Sequence, residues 1–97
     1  MSKMKTIKEE IERAHDALLD ADSSCNYSLV MVDTFALDAS ADGSCSDVLD
    51  LAAYVVGMMG DMLRDVLADN GALDIAATMS DSLLARAYAS YFRALFC

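Results

Sequence analysis

The chain has 97 residues, of which 56% are hydrophobic and 24% charged, and sixteen Asp and Glu outnumber seven Lys and Arg for a formal net charge of −9. This length sets one domain over residues 1–97 with room for one modest core. The apolar content excludes a disordered chain, and the charge excludes a binder of phosphate backbones, which needs the opposite sign.

Proline is absent and glycine occurs only four times. Long helices need that absence, because an interior proline costs about 3 kcal/mol. The charge is unevenly placed: Lys3, Lys5, Lys8 and Arg13 crowd the first 13 residues, whereas from Asp22 to Asp81 eleven acids face the single base Arg64. A basic partner, or no charged partner, is therefore expected, and direct nucleic-acid binding is not. The opening MSKMKTIKEE lacks the apolar stretch of a signal peptide. The longest apolar run, from Leu51 to Gly60, is ten residues, well short of the ~20 that span a bilayer. Cys25, Cys45 and Cys97 form no C-x-x-C pair, so they read as reduced thiols of a cytoplasmic protein with no membrane association.

Thr6-Ile7-Lys8-Glu9 has the pattern of a capping box, in which the Thr and Glu side chains satisfy each other's backbone N–H groups. Ile7, Ile11, Ala14 and Leu18 follow on one helical face, and the polar Asp22-Ser23-Ser24 ends that helix near residues 20–22. Residues 27–37, YSLVMVDTFAL, carry β-branched and aromatic residues that suit a strand. Cys25, Leu29, Val32 and Ala36 also make a helical stripe, and no other segment offers a strand partner. A helix over about 24–39 is the expectation.

Ala39 to Ser44 is a turn by composition. Within it Asp38, Ser40, Asp42 and Gly43 match early positions of a calcium loop, but the bidentate Glu that should close it is Leu49, and a plain turn is the better reading. Ser44 or Ser46 caps a third helix that runs to about Asp69 and stops at Asn70-Gly71. Its roughly 25 residues span about 37 Å in a molecule whose radius of gyration should be near ~12.5 Å. A separate turn is expected over 72–78, then a last helix from Ser80 or Asp81 to the end. That helix is apolar apart from a strip through Ser82, Arg86, Ser90 and Arg93, so it is expected at the centre of the bundle or with its end docked on a partner.

The third helix carries the candidate site. On an ideal helix Asp47, Asp50, Asp61, Asp65 and Asp69 fall within one arc of about 100°, with Tyr54, Gly57 and Met58 between them. The opposite side holds the core positions Val48, Leu51, Ala52, Val55, Met59, Met62 and Val66. An apolar centre with a charged rim is how protein-binding patches are built, and methionine adapts well to such contacts. The competing expectation is that a neighbouring helix covers the middle and only the acids project. Gly57 and Gly60 together cost roughly 2 kcal/mol against alanine. Close approach of another helix backbone, within the fold or from a second copy, is the expected compensation.

No constellation names a reaction. His15 is the one histidine, it reads as an edge-of-core residue, and it forms no metal-ligand spacing with the cysteines. No nucleophile motif, phosphate loop or dinucleotide fingerprint is present. The expectation is an all-α compact bundle of about four helices with a long third helix, not an enzyme, with no cofactor and no metal. It would bind a protein partner with a basic surface through Asp47, Asp50, Tyr54, Met58, Asp61, Asp65 and Asp69. In size and charge the chain resembles the small acidic inhibitors of phages and mobile elements, anti-CRISPR and anti-restriction proteins among them, whose carboxylates imitate nucleic-acid phosphates. That is a likeness of class, with no family motif behind it. The alternatives are a homodimeric structural module held by Gly57, Gly60, Tyr54, Met58 or the aromatic C-terminus, and surface carboxylates that only maintain solubility in high salt.

Overall fold

A computed structural model describes residues 3–40 and 47–97, with side chains from Thr6 onward. It is all helical: α1 (Lys3–Ser23), α2 (Tyr27–Ala39), α3 (Val48–Leu67), α4 (Leu73–Thr78) and α5 (Asp81–Phe96), with a wide π-type turn Ala68–Ala72 joining α3 to α4. The radius of gyration is 12.5 Å and the extents are 42 × 26 × 21 Å. The segment 27–37 is helix, not strand, and Asn26 starts it by accepting from the Leu29 N–H at 3.1 Å.

Helix α1 begins before the expected capping box, so Thr6 and Glu9 lie inside it. Its buried face is Ala14, Ala17, Leu18 and Ala21. The chain leaves α1 through Cys25, whose φ of 57° is left-handed, and the Asn26 N–H closes the corner onto the Ala21 carbonyl at 2.9 Å. Such a left-handed residue is a usual way to end a helix. Cys25 is a free, exposed thiol, whereas Cys97 is disulfide-bonded, which corrects the reading of reduced thiols at that position. Cys45, the possible helix caps Ser44 and Ser46 and most of the calcium-like turn lie outside the described residues.

Helix α3 is not straight. Met59 leaves helical geometry at φ −131°, ψ 24°. A Cβ added at Gly57 meets nothing within 4 Å, and one at Gly60 meets only the Val56 Cγ1 at 3.6 Å. No helix backbone within the described chain approaches Gly57, so the expected approach does not come from within the described fold. The two glycines instead flank the kink at Met59. Asn70-Gly71 ends α3 as expected, with Gly71 at φ 86° and the Asn70 amide donating to the Val66 carbonyl at 2.8 Å. The next corner is held by Arg64. It donates to the Ala76 and Met79 carbonyls at 2.8 and 2.9 Å and to Asp81 at 2.7 Å, so one guanidinium satisfies orphan carbonyls at the end of α4. Ser80 caps α5 by accepting from the Leu83 N–H.

Helix α5 packs along both α1 and α3 and buries Leu84, Ala85, Ala87, Tyr88, Ala89, Tyr91 and Phe92. Helix α5 thus takes an inner place, while Leu95 and Phe96 at its tip are partly exposed. Leu18, Leu29, Val55, Leu63, Val66 and Leu67 complete the centre of the core.

Candidate protein-binding surface

All seven residues of the expected site are exposed. They do not form one straight row. Asp47 precedes the first turn of α3 with φ −116° and makes no side-chain cap. Asp50, Tyr54 and Met58 share the outer side of the segment before the kink, Asp61 and Asp65 lie after it, and Asp69 lies in the wide turn. The ideal-helix projection fails beyond Met59, because the kink and the wide turn each rotate the residues on their C-terminal side. Beyond the kink, Asp61 lines an open depression of about 390 Å³ with Gly57, Met58, Gly60, Arg64 and Asp81. Asp61 and Asp65 border a second, of about 300 Å³, with Leu73.

The middle of α3 is not covered by a neighbouring helix. Met58 is 62% exposed and Tyr54 52%. Tyr54 has a partner that the sequence does not announce: its ring stacks on Phe35 of α2, centroids 5.6 Å apart at 20°. Helix α2 extends the patch, with Tyr27 76% and Met31 40% exposed. Tyr27, Met31 and Asp38 share the outer side of α2, opposite the buried Leu29, Val32 and Ala36.

Asp33 is the one buried charged residue among those described. Tyr88 Oη donates to one of its carboxylate oxygens at 2.7 Å and Tyr91 Oη to the other at 2.6 Å. Burial pushes the Asp33 pKa up, and the two tyrosine hydrogen bonds pull against that. Both phenols are raised, first by burial and then by the adjacent carboxylate. Sequence reasoning passed over this cluster. Its signal is an acid four residues after Leu29, on the inward side of α2, and two tyrosines three residues apart on α5. Asp33 ties α2 to α5.

At the surface Arg13 pairs in a forked geometry with Asp74 of α4, at 2.7 and 2.9 Å. The hydrogen bond from Arg13 holds the Asp74 carboxyl down at about 2. His15 sits at the edge of the core with Nε2 buried and unpartnered. Among the described residues no three His, Cys, Asp or Glu side chains come together as a metal site, and no helix is long and apolar enough to cross a membrane. No family model, no curated protein and no solved structure gives a significant match to the chain.

Proposed function

We propose that this chain is a small acidic protein-binding protein that acts by occupying a basic, nucleic-acid-binding surface on a partner, as inhibitors from phages and mobile elements do. The observation that supports it is the outer side of α3, where Tyr54 and Met58 stand exposed between carboxylates at both ends. Apolar groups exposed at the centre of a charged frame fit a protein interface. The reading does not require catalysis, a metal or a cofactor.

The test is interference. The chain is produced in cells that carry an RNA-guided or a restriction nuclease, and the survival of target DNA is scored. Protection is expected from the natural sequence and is lost when Asp47, Asp50, Asp61, Asp65 and Asp69 are all changed to Asn. Protection that survives the five-site variant refutes the role of the carboxylates. A homodimeric structural module is the second reading, favoured by the exposure of Leu95 and Phe96 at the tip of α5. Sedimentation at micromolar concentration decides it, and a strict monomer excludes it.

A further inference from the structure

Helices α2 and α3 together form a wider surface than the acidic row, and we infer that this surface is a docking face for a cationic amphipathic helix of another protein. The inference rests on the protein-binding reading and gives the partner a shape. Its starting point is the stack of Phe35 on Tyr54. The two helices are consecutive and pack against each other, and a short connection between packed neighbours favours an antiparallel course across that stack. One turn back along α2 is Met31, and one turn on along α3 is Met58. Both are exposed, on either side of the seam, and Tyr27 lies one further turn along α2.

The apolar residues therefore repeat every fourth position, 27, 31 and 35 on one helix and 54 and 58 on the other. Over eight residues of α2 this makes a strip of about 12 Å. A third helix with apolar anchors at i, i+4 and i+7 meets two such ridges in register. Two aromatic rings at the seam and a methionine on each bank give that helix a surface that repacks around it.

The frame around the strip fixes the charge of the occupant. Asp38 on α2 and Asp50 on α3 stand at one end, and Asp61 follows Met58 across the kink and lines the same depression, all exposed. Among the described residues Arg64 borders the same depressions as Asp61 and Asp65. Arg64 is the one base between Asp22 and Asp81, and it is committed to Asp81 and two carbonyls. A second copy meeting it face to face would bring the same carboxylates. A nucleic acid or an anionic membrane would bring phosphates. Each is repelled at contact distance. A helix that pairs an apolar stripe with Lys or Arg flanks satisfies the strip and the frame together.

The probe is a fluorescein-labelled synthetic peptide of about eighteen residues, long enough for five helical turns, with Leu on one face and Lys on the others. A scrambled peptide of the same composition separates amphipathic fit from bare charge, and a Leu/Glu version reverses the sign. At about 0.15 M salt, where long-range attraction is screened, the amphipathic Lys peptide is expected to bind at least roughly ten-fold tighter than the scrambled one, a difference of about 1.4 kcal/mol. The Leu/Glu version is expected not to bind. The double variant Met31→Ser/Met58→Ser changes only exposed side chains and is expected to abolish that preference. Asp50→Asn/Asp61→Asn is expected to weaken binding and to flatten its salt dependence.

Equal binding of the scrambled peptide, or unchanged binding by the methionine variant, overturns the inference. So does a dimer that the methionine variant dissociates, because a second copy then owns the face. These outcomes leave the inhibitor reading standing on its carboxylates. Nuclease protection that survives the five-site Asp variant, together with intact peptide binding, removes that reading while the docking face stands.

Discussion

Replacing Asp33 by alanine tests how the bundle is held together. Tyr88 and Tyr91 are both fully buried, and the carboxylate is the acceptor for both hydroxyls. Alanine strands the pair. A buried hydroxyl without a partner costs about 1–3 kcal/mol, so two cost about 2–6. Part of this is offset, because the variant also removes a carboxylate whose charged form burial disfavours. The net loss should be about 2–4 kcal/mol, a large part of the roughly 5–15 kcal/mol available to a domain. At about 4–8 °C per kcal/mol the midpoint of thermal unfolding should fall by roughly 10–30 °C. Urea titration followed by circular dichroism should show a lower midpoint at an unchanged slope. Asp33→Asn keeps an acceptor for one phenol and a donor for the other, so it should lose less than the alanine variant. The pH dependence has a definite sign. The folded pKa of Asp33 lies above its ordinary value of 3.8, so the native state takes up this proton first. The contribution of Asp33 to stability therefore rises as pH falls through the folded pKa, and the rise is complete below 3.8. Asp33→Asn should lack that rise. An alanine variant within about 0.5 kcal/mol of the parent, the range of neutral surface changes, would refute the account. So would parent and Asn variant curves that stay parallel from neutral pH to the acid limb.

Four single substitutions supply further outcomes. Gly57→Ala should raise stability by up to about 1 kcal/mol, since the added methyl meets no atom within 4 Å, whereas Gly71→Ala should lower it by about 1 kcal/mol or more, because φ is 86° there; equal effects in chemical denaturation would remove the distinction. Arg64→Met should leave the Ala76 and Met79 carbonyls without their donor, at a cost of about 1–3 kcal/mol, with amide exchange accelerating first around 76–84. Asp74 runs opposite to Asp33: its pKa is held down at about 2, so its contribution is present above 3.8 and is lost as pH falls towards 2. Asp74→Asn should remove that acid-limb slope: the variant lacks the contribution at neutral pH, and its stability converges with the parent's as pH falls towards 2.

The features legible in the sequence were those that repeat locally. The stripes of α1, α3 and α5, the stop at Asn70-Gly71 and the exposure of the five candidate carboxylates come from a 3.6-residue period and from composition, whereas the period alone leaves open whether a neighbouring helix covers Tyr54 and Met58. The capping box at Thr6 to Glu9 misplaced the start of α1, because a local motif is only one of several ways to begin a helix. Asn26 was missed as the cap of α2 because the stripe at Cys25 suggested a start one turn earlier. The kink at Met59 is hidden because a helical projection assumes straightness, and the neighbour expected within the fold at Gly57 is absent among the described residues. The bonds from Asp33 to Tyr88 and Tyr91 join residues 55 and 58 positions apart, and no local pattern encodes such a pairing. The stack of Phe35 on Tyr54 is hidden for the same reason, and with it the apolar face of α2.

These two long-range features bear on each other through α2. The inward side of this helix buries only Leu29, Val32 and Ala36 besides Asp33, less apolar volume than α5 contributes with Leu84, Tyr88, Tyr91 and Phe92. Its outward side spends Tyr27, Val30, Met31 and Leu37 on solvent. A helix divided in this way gains little of its position from burial, so the carboxylate held by two phenols must supply much of it. The docking face is then only as well formed as that tether. Asp33→Ala, at a temperature where the rest of the bundle remains folded, should weaken binding of the amphipathic Lys peptide although Asp33 is itself buried. Tyr54→Ala should weaken it with little change in thermal midpoint. If both variants lose peptide binding only in proportion to unfolded protein, α2 is held by its apolar face alone, and the tether has no part in shaping the surface.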